Sequence, residues 1–179
     1  MTAPVLIFAI GNESRGDDAL GPQLLRQLDA WLLASGEPDI FELIEDFQLQ
    51  IEHAMDMKDR QLVLFIDAGM DTPAPFAFYR AKMSKEQVLY SHAMAPEALL
   101  KVYGQFYSEE PPDVFVLCIA GEGFELGEGL SPQAVANSAS AAEFARQLLL
   151  ESDAPAWDRQ CTNMSASIRS AQASAAITR

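Results

Sequence analysis

Val5-Leu6-Ile7-Phe8-Ala9-Ile10-Gly11-Asn12-Glu13-Ser14-Arg15-Gly16-Asp17-Asp18-Ala19-Leu20-Gly21 decides how this chain is read. Six consecutive apolar residues followed by a glycine turn describe a strand buried on both faces. Leu20, Leu24, Leu25, Leu28, Trp31 and Leu32 then recur at steps of three and four, which describes an amphipathic helix. Asp17 stands where it would cap that helix, accepting free N–H groups and meeting the positive end of the dipole. Gly36 and then Pro38 end it.

The same alternation continues along the chain. Strands are expected near Ile40–Ile44, Gln61–Ile66, Phe76–Met83 (an antiparallel edge) and Val114–Ile119. Leu49–Met57 reads as a short helix burying Ile51, Ala54 and Met55. Leu99, Val102, Tyr103, Phe106 and Tyr107 form a helical stripe that starts at Pro96 and stops at Pro111-Pro112. Ser131-Pro132 opens a last helix that runs to Leu150. The pattern predicts an α/β domain over residues 1–151: three α/β/α layers around a twisted, mostly parallel five-stranded mixed sheet. From 152 to 179 alanine and serine dominate, and a disordered or weakly helical tail is expected.

Composition narrows the function. The chain has 179 residues, enough for one full core, and 26 acidic against 12 basic residues give a net charge of −14. Such a surface repels phosphate, so nucleic acid and anionic membranes are poor partners. Cys118 lies in an apolar run and reads as a small buried side chain, whereas Cys161 lies in the polar tail. Neither has disulfide or zinc-finger spacing. No apolar run nears the roughly 20 residues of a membrane span, and Val5–Ile10 is too short for a secretory leader. A cytoplasmic monomer is expected.

Chemistry concentrates at three places: the Gly11–Gly21 turn, Asp67-Ala68 at the end of the third strand, and Ser91-His92 in a loop. The turn has neither Gly-Lys-Ser/Thr nor Gly-x-Gly-x-x-Gly, and Asp17 and Asp18 would repel a phosphate, so no nucleotide site is expected. A cation suits it better. With Asp17 used as a cap, Asp18 is free to face Asp67 across neighbouring strand ends, where α/β proteins gather their chemistry. Their repulsion calls for a compensating charge. His92 stands where a loop can bring an imidazole to them, whereas His53 reads as a partly exposed helix residue. Asp18, Asp67 and His92 would leave coordination positions open on a borderline divalent metal. Alternatively, Asp18 and Asp67 could share a proton as an acid–base pair. The remaining acids, Glu42, Glu45, Asp46, Glu122, Glu125 and Glu128, read as solvated.

Taken together, Gly11-Asn12…Asp17-Asp18-Ala19-Leu20-Gly21, Asp67-Ala68, Ser91-His92 and Gly129-Leu130-Ser131-Pro132 resemble the motifs of the hydrogenase maturation endopeptidases, over roughly residues 4–150. The resemblance implies a phosphorylase/hydrolase-like fold. It places the metal-contacting groups on Asp18, Asp67 and His92, with Asp18 and Asp67 catalytic and Gly11, Asn12, Asp17 and Gly21 shaping the turn. It implies one cut that removes the C-terminal extension of a nickel–iron hydrogenase large-subunit precursor, with nickel supplied by that precursor. Where many members carry an Asp-Gly-Gly-Thr-like loop, this chain has Glu45-Asp46-Phe47-Gln48. Phe47–Gln50 and Gly121–Leu126 look more like the subgroup serving NAD-linked cytoplasmic hydrogenases. Two rivals remain: a non-catalytic chaperone or nickel escort for the large subunit, and a hydrolase of small peptides.

Overall fold

The computed structural model describes residues 1–36, 38–85 and 94–161. Five strands, β1 (Val5–Ile10), β2 (Phe41–Asp46), β3 (Leu62–Gly69), β4 (Phe76–Arg80) and β5 (Asp113–Ala120), form one sheet in the order β2-β1-β3-β5-β4. All neighbours are parallel except β4, which runs antiparallel to β5 at the edge. Helices α1 (Leu20–Ser35), α2 (Pro96–Phe106) and α3 (Pro132–Leu150) connect them. The expected α/β/α sandwich is what the chain forms.

The apolar strands are divided between two cores by the pleat, since successive side chains face opposite sides. Val5, Ile7 and Ala9 join Leu64, Ile66, Phe115 and Leu117 under α1 and α3. Leu6, Phe8 and Ile10 join Val63, Phe65, Val114 and Val116 against Leu99, Val102 and Tyr103 of α2. Gly36 closes α1 in the left-handed conformation, and its N–H donates to the Leu32 carbonyl. Its φ of 77° explains why glycine ends the helix there.

Several elements differ from expectation for identifiable reasons. β2 runs through Glu45 and Asp46 because both pair with β1, and an edge strand tolerates carboxylates turned to solvent. β4 stops at Arg80 instead of continuing to Met83. The segment after β2 is only a 3-10 turn over Ile51–Ala54. With no full α-helical face, Ile51 and Met55 stay exposed, while Leu49, Ala54 and Met57 fill the core.

Of the expected tail, residues 152–161 are described, and residues 162–179 lie outside the described residues. Residues 154–161 form a further helix, α4. Trp157 of α4 is fully buried against Phe78 and Phe115. Its indole N–H donates to the carbonyls of Leu148 and Glu151, satisfying the end of α3. Cys161 packs against the same core. The packed domain therefore continues past residue 151, and one large aromatic outweighs the polar composition around it.

Trp157→Ala is expected to lower unfolding free energy by about 3–5 kcal/mol, as for other buried aromatic truncations. Urea denaturation followed by circular dichroism measures this; a loss below 1 kcal/mol would mean that α4 is only loosely attached.

Candidate functional site

β1 leads through α1 to β2 on one side of the sheet, whereas β3 leads towards β5 and β4 on the other. The chain therefore switches direction between β1 and β3, and a crevice opens beyond their carboxyl ends. The β1–β3 ladder stops at Ala9 and Ile66, but β3 goes on beside β5 to Gly69. Asp67 is thus paired on its β5 side only, and its other side opens into the crevice.

Two glycines bring the turn after β1 this close. Gly11 has a φ of 148°, and a Cβ there would collide with the backbone carbonyl of Asp18. A Cβ on Gly21 would sit 2.5 Å from the Ile10 carbonyl oxygen and 3.0 Å from that of Ile66. The first turn of α1 consequently rests directly on β1 and β3. Asp18 is held by its Oδ2, which accepts the Asn12 N–H at 2.7 Å. Asp67 Oδ1 accepts the N–H of Ala68 at 2.8 Å. Among the described residues, the second oxygen of each carboxylate has no hydrogen bond.

Asp18 and Asp67 line one cleft of about 480 Å³, together with Asn12, Arg15, Phe47 and Phe124. The Asp67 carboxyl is pushed up to about 6: burial raises it most, the Ala68 N–H lowers it, and the negative charge of Asp18 raises it again. The two acids therefore interact across the cleft. A second hollow of about 350 Å³ adjoins, sharing Asn12 and Phe47 as a common wall.

Asp17 does not cap α1, whose start has no side-chain cap. Its buried carboxylate instead reaches the loop after β5. Oδ2 accepts the N–H groups of Glu122 (2.7 Å) and Gly123 (3.1 Å) and the Ser131 hydroxyl (2.8 Å), and Oδ1 accepts the Ser131 N–H (2.7 Å). Burial opposes ionisation, but these donors outweigh it and hold the carboxyl below its usual range. Ser131 in turn caps α3, its Oγ accepting the Ala134 N–H.

His92 lies outside the described residues. Among those described, no three His, Cys, Asp or Glu side chains are grouped to hold a metal ion. Asp18 and Asp67 supply two convergent carboxylates, a donor set suited to a divalent cation that would relieve their repulsion. His53 is used elsewhere: Nδ1 accepts the Gln50 N–H, and Nε2 lies 3.2 Å from Asp46 Oδ2. Cys118, beside Asp67 in the β3–β5 register, is half-buried with its sulfur 3.0 Å from the Thr72 hydroxyl. Arg15 and Phe124 were not among the expected site residues. Arg15 could have been found as a cation within an otherwise acidic turn, whereas nothing local marks Phe124.

No protein-family model matches the chain, and no curated protein matches it. Solved structures do. The hydrogenase maturating endopeptidase HybD from E. coli superposes with a TM-score of 0.60 at 23% identity, over 83% of this chain and 93% of that one. The NiFe hydrogenase maturation protease HycI from Thermococcus kodakarensis KOD1 gives 0.60 at 21% identity, over 83% and 94%. HybD from Thermococcus kodakarensis gives 0.60 at 23%, over 80% and 97%. The chain shares the fold of these hydrogenase maturation endopeptidases.

Asp18→Asn is expected to move the Asp67 midpoint downward from about 6, because a like charge is removed; ¹³C NMR titration of the carboxyl carbon reads it, and an unmoved midpoint would mean the acids do not interact. Between 3.8 and about 6 the native state retains an Asp67 proton that the unfolded chain has lost. Asp67 therefore makes stability fall as pH rises through that window, by a few kcal/mol in all, and Asp67→Asn should flatten this part of the pH–stability curve. Asp17→Ala leaves its buried donors unmet and is expected to cost about 3 kcal/mol or more in urea unfolding.

Proposed function

We propose that this protein is an endopeptidase that removes the C-terminal extension of a nickel–iron hydrogenase large-subunit precursor once nickel has been inserted. The observation that carries this reading is the pair Asp18 and Asp67, coupled in charge within one cleft at the switch point. They occupy that cleft in a fold shared with hydrogenase maturation proteases.

The chemistry required is modest. Peptide hydrolysis needs one group to take a proton from the attacking water and another to give a proton to the leaving amine. Two carboxyls in different environments can divide these tasks. Asp67 holds its proton more tightly than an ordinary carboxylic acid and acts as the donor. Asp18, fixed by the Asn12 N–H, offers its other oxygen to the water. As that water adds to the carbonyl carbon, its proton passes to Asp18. Collapse of the tetrahedral species breaks the C–N bond, and the amine leaves with the proton from Asp67.

Nickel belongs to this reading as cargo of the precursor. When a loaded precursor binds, Asp18, Asp67 and His92 are the ligands this chain would offer the ion; Asp67, ligating as a carboxylate, is then not the proton donor, and the ion's positive charge would polarise the reacting oxygens in place of that acid–base division. Such a borrowed ion would tie cutting to loading, because it relieves the repulsion of two ionised carboxylates. The Phe47 side chain, 72% exposed at the wall between the two hollows, offers an apolar surface for the precursor tail. The subgroup serving NAD-linked hydrogenases fits the Phe47–Gln50 wall, and a monomer working in the cytoplasm fits a processing role.

Wild-type protein incubated with nickel-loaded precursor should yield a large subunit shortened by its extension, seen as a discrete mass loss. Asp18→Ala and Asp67→Ala are each expected to lower the processing rate by about 10³-fold or more, the scale of losing an acid–base group. Full processing by both variants would overturn the assignment. Stable binding of the precursor with unchanged mass would identify a chaperone, and turnover of generic short peptides an unspecialised hydrolase.

A further inference from the structure

Arg15 is singular among the arginines described. Arg26 pairs with Glu13 and Glu45, Arg60 with Glu42, Arg80 with Asp113 and Asp158, Arg146 with Glu143, and Arg159 with Glu151. Among the described residues Arg15 pairs with no carboxylate, in a chain whose net charge is −14. Chance exposure in so acidic a protein would more readily leave an acid unpaired than an arginine.

Its surroundings explain how this state is kept. The Arg15 Nε donates to the Phe124 carbonyl at 3.3 Å, which tethers the guanidinium to another residue lining the cleft. Its turn is stapled to the loop after β5 by Gly16 N–H to Glu128, Asp17 N–H to Gly123 and Gly127 N–H to Ser14. The two terminal nitrogens of Arg15 make no hydrogen bond among the described residues. Arg15 lines the cleft that holds Asp18 and Asp67. A guanidinium tethered through Nε presents these nitrogens end-on, the geometry that grips a carboxylate through two bonds.

We infer that Arg15 determines specificity by binding a carboxylate of the precursor's junction or extension. This inference rests on the proposed proteolytic function and deepens it. The exposure of Arg15 fits recognition of a substrate group at the mouth of the cleft rather than stabilisation of a buried oxyanion. In an acidic cleft this cation also keeps an anionic segment from being rejected. The carboxylate comes from an Asp or Glu side chain near the junction or from the free C-terminus of the extension.

Three synthetic peptides spanning junction and extension test this by equilibrium binding: one native, one C-terminally amidated, and one with its acidic residues changed to amides. The full-length protein should bind the native peptide about tenfold more tightly than Arg15→Gln does, the scale of a charge-assisted pair. The modified peptide that loses this difference identifies the source. With intact precursor, Arg15→Gln should raise KM about tenfold with kcat within about twofold, and Arg15→Lys should recover part of the loss. Arg15→Glu should regain processing on a precursor whose identified acidic residue is replaced by lysine, or on one whose extension ends in an added lysine amide if the C-terminus is the source. A purely structural role would not show this charge-swap rescue. Equal binding and equal KM for wild type and Arg15→Gln would overturn the inference while leaving the proposed function standing. Wild-type protein that leaves the precursor uncut overturns that function, and this inference with it.

Discussion

A single buried carboxylate holds the site together. Asp17 collects two backbone N–H groups from the Gly121–Ser131 loop, together with the hydroxyl and N–H of Ser131. Those atoms belong to a segment more than a hundred residues away in sequence, so the β1–α1 turn and the β5–α3 loop become one unit. Burying a charge is costly, and it is tolerable here because every donor is aimed at it. The same contact supplies the cap of α3 through Ser131. It also sets Arg15 of one segment against Phe124 of the other, which builds one wall of the cleft.

Against that rigid wall, Asp18 and Asp67 remain incompletely satisfied. Each carboxylate has one oxygen fixed by a neighbouring N–H and one without a hydrogen bond among the described residues. The contrast between two aspartates is informative. Asp17 has its proton affinity lowered by donors and serves structure, whereas Asp67 has its affinity raised by burial and by Asp18. Acids whose environments push them apart can do different work in one protein. Two acids facing one cleft are suited to a substrate that brings a positive charge between them.

Much of this was legible in the chain itself. The apolar runs and helical stripes describe the sandwich because burial on both faces of a parallel sheet demands them. Asp18 and Asp67 could be singled out because one lies in the turn after β1 and the other near the carboxyl end of β3, where side chains of separate segments meet. The role of Asp17 could not be read locally, since a helix-start acid normally caps its own helix and its actual partners are distant. Ile51 and Met55 were misjudged because a helical period was assumed for a segment that makes only a 3-10 turn. Trp157 was hidden by its neighbours: averaged composition describes residues 152–161 as polar, yet one indole anchors them.

Alternation of apolar and amphipathic segments determined the class of fold, and glycine placement determined where the chain could turn tightly, because both are properties of neighbouring residues. Gly11 and Gly21 belong to that group, since their neighbours lie within the same strand–turn–helix unit or against it. Only the tertiary structure decided that Asp17 would serve the opposite loop, that Asp18 and Asp67 would feel one another's charge, and that Arg15 would line their cleft with no ion pair among the described residues. Each of these depends on distances between segments remote in sequence, and electrostatics and hydrogen bonding act through space rather than along the chain.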